Sequence, residues 1–259
     1  MQQPSHVLIT GASSGIGAAL ACAYAAPGRR LSLGGRDARR LDAVAAECRG
    51  RGATVATALV DVTDRAATRA WVLAADDAAP IDLTIANAGI AAEIKASEET
   101  DRHIRDVFAV NFEGVLNTAY PAIERMRVRG RGQIALMSSL AGYRGFPDAP
   151  AYSTSKAAVK ALAEAWRGLL HAQGIRVCVI CPGFVTTPMT SRNDFRMPFL
   201  MSAERAAEIV IRGLARDRPR IAFPWPMTLG VWLVAALPTR WSDRLLRPRD
   251  GKRPRGPEA

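Results

Sequence analysis

The chain has 259 residues, 49% hydrophobic and 23% charged, enough for one large α/β domain or two small ones. So much Ala, Val, Leu and Ile excludes a disordered or collagen-like chain, and no apolar run free of Pro and Gly reaches the roughly 18 residues of a bilayer span. The net charge of +11 comes from 31 Arg and only 4 Lys against 24 acidic residues, a skew that genome composition accounts for as readily as a partner does.

In chain order, strand-like and helix-like segments alternate. Met1-Gln2-Gln3-Pro4-Ser5-His6 has neither a basic region nor a small-residue cleavage site, so no signal peptide is expected. A strand is predicted over 7–10, a glycine-rich turn, then a helix over 15–26; a strand over 30–34, then a helix from Asp37 to about 49; a strand over 53–60, then a helix over 64–78; and a strand over 81–86. A long helix follows over about 98–129, bent near Gly114 or Pro121, then a strand over 132–137. A strong helix over 151–173 stops at Gly174; a strand over 175–181, a helix over 202–216 and a strand over 220–223 complete the order. This alternation predicts a Rossmann-type, doubly wound parallel sheet of about seven strands with helices on both faces. The division expected is 1–223 as the α/β domain, 224–247 as an apolar and basic extension, and 248–259 as a disordered tail.

Cys178 and Cys181 form a CxxC. They lie in a strand-like run, where residues three apart point to opposite faces, and no second pair or spaced His accompanies them. Buried thiols in a reducing cytoplasm are expected, with no metal.

The first strand ends in Thr10-Gly11-Ala12-Ser13-Ser14-Gly15-Ile16-Gly17, directly before a helix. Glycines let the backbone approach a pyrophosphate, and the helix N-terminus favours its charge. After the second strand stands Leu33-Gly34-Gly35-Arg36-Asp37. An acidic residue there suits a 2′-hydroxyl and an Arg suits a 2′-phosphate. Arg36 therefore favours NADP(H) over NAD(H), with Ser13 or Ser14 adding a hydroxyl, while Asp37 is expected to cap the next helix. Asp61, followed by Val62, either accepts from the adenine amino group or belongs to the helix entry.

The helix over 151–173 opens Ala151-Tyr152-Ser153-Thr154-Ser155-Lys156. Tyr152 and Lys156 are four apart and share a face. A Tyr of pKa about 10 is a poor base at neutral pH, and a neighbouring ammonium favours its phenolate. The fifth strand ends in Met137-Ser138-Ser139, where open α/β sheets meet ligands.

Jointly, the glycine turn over 10–17, Asn87-Ala88-Gly89, Asn111, Ser139, Tyr152, Lys156 and Pro182-Gly183 resemble the short-chain dehydrogenase/reductase family in its compact single-domain branch, over residues 7–188, about 70% of the chain. The resemblance implies an oxidoreductase in which Tyr152 is the general acid or base. Ser139 rather than Ser138 would bind the substrate oxygen. Lys156 would hold the nicotinamide ribose and lower the Tyr152 pKa, and Asn111 would hold a water relaying protons from Lys156. Asn87 would brace the sheet, and Gly89 would keep the adenosine side open. With Ala88, Pro182, Gly183 and Val185, these residues and the glycine turn would line the cofactor, and Thr186 or Thr187 would touch its carboxamide. Homodimers or homotetramers are common in the family.

The resemblance places the substrate lid after Gly183, where Phe184, Met189, Phe195, Met197, Phe199 and Met201 suit a hydrophobic ketone or secondary alcohol. Pro224, Pro226, Gly230 and Pro238 interrupt an uncharged stretch whose unbroken part is 231–237. With Trp225, Trp232 and Trp241 and the basic residues after Pro238, the stretch suits internal packing, a subunit contact or a membrane surface. No nucleic-acid partner is expected. The alternatives to a cytoplasmic hydride-transfer enzyme are a membrane-surface lipid or acyl ketone reductase and a non-catalytic NADP-binding sensor; a complete acid/base set argues against the sensor.

Overall fold

Successive residues of the inner strands enter two different cores. On β1 (His6–Thr10), Val7 and Ile9 join one apolar cluster and Leu8 the other. Both faces of a parallel sheet are covered, so both sets of side chains must be apolar. The computed structural model describes residues 4–91, 99–192 and 195–246. The remaining strands are β2 (Arg30–Gly35), β3 (Thr54–Leu59), β4 (Leu83–Ala86), β5 (Gly132–Met137), β6 (Ile175–Pro182) and β7 (Arg220–Phe223). They form one sheet in the order β3-β2-β1-β4-β5-β6-β7, every neighbouring pair parallel. The order reverses between β1 and β4, which opens a crevice at their C-terminal ends.

Helices α1 (Gly15–Tyr24), α2 (Ala38–Gly50) and α7 (Ala203–Ala215) cover one face; α3 (Arg65–Ala78), α5 (Gly114–Arg129) and α6 (Pro150–His171) cover the other. Caps fix several helix starts. Asp37 accepts from Arg40 N at 2.9 Å, as expected of a cap, Asp64 accepts from Ala67 N at 2.9 Å and Ser202 from Arg205 N at 3.2 Å. Cys178 faces the α1/α7 core and Cys181 the α5/α6 core, and all four cysteines are free.

One expectation is refined and one corrected. The long helical stretch is continuous over 101–129, and its irregularity is a π-helical turn over Ala109–Glu113, directly before Gly114, between α4 (Asp101–Phe108) and α5. The wider turn sets Asn111 inward at 0% exposure; α5 accommodates Pro121 without breaking. The start expected at residue 98 lies outside the described residues. The prolines after β7 also do not interrupt a helix: Pro224 caps α8 (Trp225–Ala236), Pro226 sits in its first turn and Gly230 lies inside it. A first-turn Pro gives up an N–H that has no helical acceptor anyway. Helix α9 (Thr239–Leu246) follows Pro238, and α8 packs on β7 and on the short 3-10 turn Leu140–Tyr143. The tail expected over 248–259 lies outside the described residues.

Candidate active site

The crevice at the strand reversal is bridged by one side chain. Asn87, at the end of β4, donates from Nδ2 to Thr10 O at 3.0 Å and to Gly11 O at 3.2 Å. The Thr10 hydroxyl accepts in turn from Asn87 N and Ala88 N at 3.1 and 3.3 Å. This network pins the mouth of the glycine turn. Gly11 and Gly15 have φ of +64° and +56°, which L side chains rarely adopt. A Cβ on Gly15 would lie 2.9 Å from Thr187 Cγ2, and one on Gly17 only 2.2 Å from Gly11 O. The turn thus packs under the start of α1 and against the lid, and only glycine allows both.

From this turn a cavity of about 770 Å³ extends past β4 and β5 to the lid. It brings together every expected cofactor residue except Gly17, which lies beneath the turn. Among the residues expected to catalyse, Ser139, Tyr152 and Lys156 line it, whereas Asn111 lies behind Ile90. Thr187 lines it and Thr186 is exposed to solvent, its N–H bound to Met201 O.

Ser139, two residues past β5, caps the 140–143 turn: its Oγ accepts from Ala141 N at 3.1 Å and donates to Pro182 O at 3.4 Å, and it lines the cleft together with Tyr152. Ser138 Oγ donates to Lys156 O at 2.7 Å. Both serines border the cleft, and the Ser138 hydroxyl is engaged by the backbone of α6. Tyr152 is half-buried at the cleft, and one α6 turn on, Lys156 is 3% exposed and donates from Nζ to Met137 O at 3.0 Å. Nζ lies 5.7 Å from the centre of the Tyr152 ring.

The expected lowering of the Tyr152 pKa by Lys156 is not what this arrangement gives. Burial raises the phenol above its ordinary value, and the Ser139 hydroxyl works the other way. Burial also lowers Lys156 to about 8. The ammonium donates to Met137 O, and burial is the leading influence on the phenol.

Asn111 is held on all sides. Its Oδ1 accepts from Ile90 N at 2.8 Å, and Nδ2 donates to Ile90 O at 2.9 Å and Ser155 Oγ at 3.1 Å. With the side chain engaged, a relay water would need other atoms of the π turn. Gly89 is a second correction: a Cβ there would lie 3.1 Å from Asn111 Oδ1 and 3.2 Å from Lys156 Nζ. Gly89 therefore clears the Lys156 side of the cleft, not the end formed by β2.

At that other end, Arg36 Nη1 lies 3.6 Å from Asp61 Oδ2. Burial opposes the Asp61 charge, but bonds from Thr63 N and Oγ1 and the nearby Arg36 outweigh it and hold the carboxyl below the usual range. Asp61 thus closes a turn before α3, whose cap is Asp64. Arg40 also lines this end, a residue the sequence reading passed over. Its signal was available: it lies in the first turn of α2, four residues after Arg36. Ile90, Val110 and Met137 complete the lining, and Thr190 donates to Val185 O at 2.6 Å, folding the lid base over Thr187. These pieces meet only in three dimensions.

A glycine-lined crevice at the reversal of a parallel sheet is where α/β folds seat a dinucleotide, and this chain has that architecture. Residues 5–196 match the short chain dehydrogenase family model. An uncharacterized oxidoreductase of Myxococcus xanthus is 36% identical over 241 residues, 93% of this chain and 95% of that protein. A short-chain dehydrogenase from Sphingobium yanoikuyae, solved in complex with NADPH, superposes with a TM-score of 0.79 at 26% identity, covering 96% of this chain and 98% of that one. A short-chain dehydrogenase from Mycobacterium paratuberculosis, solved bound to NAD, gives 0.77 at 28% identity, covering 86% and 97%. The chain belongs to the short-chain dehydrogenase family. It is a nicotinamide-dependent oxidoreductase of the CH–OH/C=O couple.

Proposed function

We propose that the protein moves a hydride between NADP(H) and a hydrophobic ketone or its secondary alcohol, with Tyr152 as the general acid in reduction and the base in oxidation. The observation that carries this reading is the meeting of Ser139, Tyr152 and Lys156 in one cleft whose far end is the glycine turn.

The residues fit the cofactor. The turn has the tight backbone that a pyrophosphate needs, and Lys156 is a buried ammonium with one of its donors on Met137 O. At the β2 end both oxygens of Asp37 are engaged, Oδ1 by Arg40 N and Oδ2 by Arg40 Nε. That carboxylate is held away from a ribose diol, while Arg36 and Arg40 offer cations to a 2′-phosphate. The solved relatives carry NADPH in one case and NAD in the other, so the reading rests on these residues.

When bound, the nicotinamide supplies or accepts the hydride. Tyr152 O–H donates its proton to the substrate oxygen as charge builds there, and Ser139 Oγ–H donates a second hydrogen bond to the same oxygen. Lys156 orients the ribose hydroxyls. Its burial-lowered pKa still leaves it largely protonated at neutral pH. Asn111 positions Ile90 and Ser155 around it. Phe184 and Phe195 meet edge to face at 5.8 Å in the lid, and Ile90, Val110 and Met189 line the cleft, which favours an apolar substrate.

A panel of hydrophobic and polar ketones with NADPH, followed by the loss of reduced-nicotinamide absorbance, tests the reading. Turnover is expected on the apolar members. Activity only on polar substrates would overturn the substrate class, and equal activity with NADH the cofactor preference.

A further inference from the structure

The C-terminal helices carry an apolar face that the rest of the fold leaves open to solvent. Met227 and Val231 of α8 pack on the core, but Trp225, Leu229 and Leu233, four apart along one stripe, are exposed together with Trp232. Trp225 is 74% exposed. On α9, Trp241 is 60% exposed and Leu245 stands four residues on, while Arg240 and Arg244 form the adjoining stripe. The one acidic residue of α9, Asp243, is paired with Arg144 at 3.1 Å. Isolated exposed apolar residues are ordinary; two consecutive helices whose exposed side chains include three of the chain's five Trp mark an interaction surface.

We propose that α8 and α9 dock in the headgroup plane of an anionic lipid bilayer. Helix α8 has 12 residues, about 18 Å at 1.5 Å per residue, against a hydrocarbon core of about 30 Å. Among the described residues no helix is long and apolar enough to cross a membrane, so the face lies on the surface. Trp at the water–lipid boundary and Arg beside an apolar stripe are the pattern of an interfacial helix. The charge is complementary to anionic headgroups: residues 247–259, which continue directly from α9, add five basic and two acidic residues. A second copy fits less well, because a two-fold contact would set the same positive rim against itself. The core-facing root of α8 adjoins the lid. A Cβ on Gly183, where the lid begins, would lie 3.0 Å from Pro224 Cδ and 3.2 Å from Met227 Sδ at the root of α8.

The test is sedimentation of the full chain with phosphatidylcholine vesicles, with and without phosphatidylglycerol. It uses neither nucleotide nor substrate, so its result is independent of the reaction assigned above. Phosphatidylglycerol is expected to raise the bound fraction about tenfold at low salt, and high salt to remove that gain. Trp232→Ser with Trp241→Ser is expected to abolish binding, with circular dichroism and the thermal midpoint unchanged. Arg240→Glu with Arg244→Glu is expected to erase the preference for phosphatidylglycerol, and this pair alone decides the matter if the Trp pair unfolds. Wild-type protein that ignores both vesicles overturns the proposal. So does binding that survives the Arg substitutions unchanged, or a dimer in solution that the Trp pair converts to monomer, since a second copy then covers the face.

Discussion

Arg36 and Asp61 face each other across the β2 end of the cleft, Nη1 to Oδ2 at 3.6 Å. Their side chains are 64% and 42% exposed, and exposed pairs of this kind contribute about 0–1 kcal/mol. A charge-assisted bond to a phosphate is worth more, about 1.5–3 kcal/mol. The comparison predicts that Arg36 leaves Asp61 for a 2′-phosphate. Arg36→Ala should weaken NADPH binding about 10- to 100-fold, in line with that range, and leave NADH within a few-fold. Titration of the nucleotide fluorescence checks it; equal losses for the two nucleotides would place the phosphate elsewhere.

Tyr152→Phe should lower turnover by about 10²–10⁴-fold, the usual contribution of a general acid. Cofactor affinity should be nearly unchanged, because the ring remains in the cleft and only the hydroxyl is lost. Single-turnover kinetics alongside nucleotide titration separates the two quantities.

Gly17→Ala places a methyl 2.2 Å from the backbone oxygen of Gly11, which cannot rotate away. Overpacking of this kind costs about 1–3 kcal/mol, and the turn that deforms is the nucleotide cradle, so both stability and affinity should fall. Gly230→Ala is the contrast. It lies inside α8 with nothing within 4 Å of the added methyl and should stabilise by about 0.5–1 kcal/mol. Thermal unfolding of the two variants should move in opposite directions.

His6 is 1% exposed, with Nδ1 donating to Ala79 O at 2.7 Å and Nε2 accepting from the Ser32 hydroxyl at 2.8 Å. Burial lowers its pKa below 6.5, ahead of the opposing bond to Ala79 O. The native state therefore takes up the proton later than the unfolded state as pH falls. Stability is full above the unfolded value of about 6.5 and is lost below it, at up to about 1.4 kcal/mol per pH unit, until the folded group also protonates. Chemical denaturation between pH 5 and 8 should show this slope in the wild type and a smaller one in His6→Gln.

Much of the fold was legible because parallel strands buried on both faces must be apolar throughout and their helices amphipathic. Seven strands were expected and seven are present among the described residues. What was missed or misread depended on contacts. The irregularity before Gly114 takes the form of a π turn, within which Asn111 meets Ile90 and Ser155. The prolines near 224 read as breaks, although at a helix start they do no harm. Gly89 was assigned to the wrong end of the cleft, since only packing shows which side chain a missing Cβ makes room for.

By itself the sequence determined the phosphate turn, the Tyr152–Lys156 spacing and the alternation that builds the sheet, because each is set by near neighbours in the chain. Only the tertiary structure decided that Ser139 and Tyr152 line one cleft while the Ser138 hydroxyl bonds Lys156 O, that Asp61 faces Arg36, and that burial raises the phenol. Those relations join residues that are distant in the chain, and the balance of desolvation against charge depends on how completely the surrounding elements exclude water.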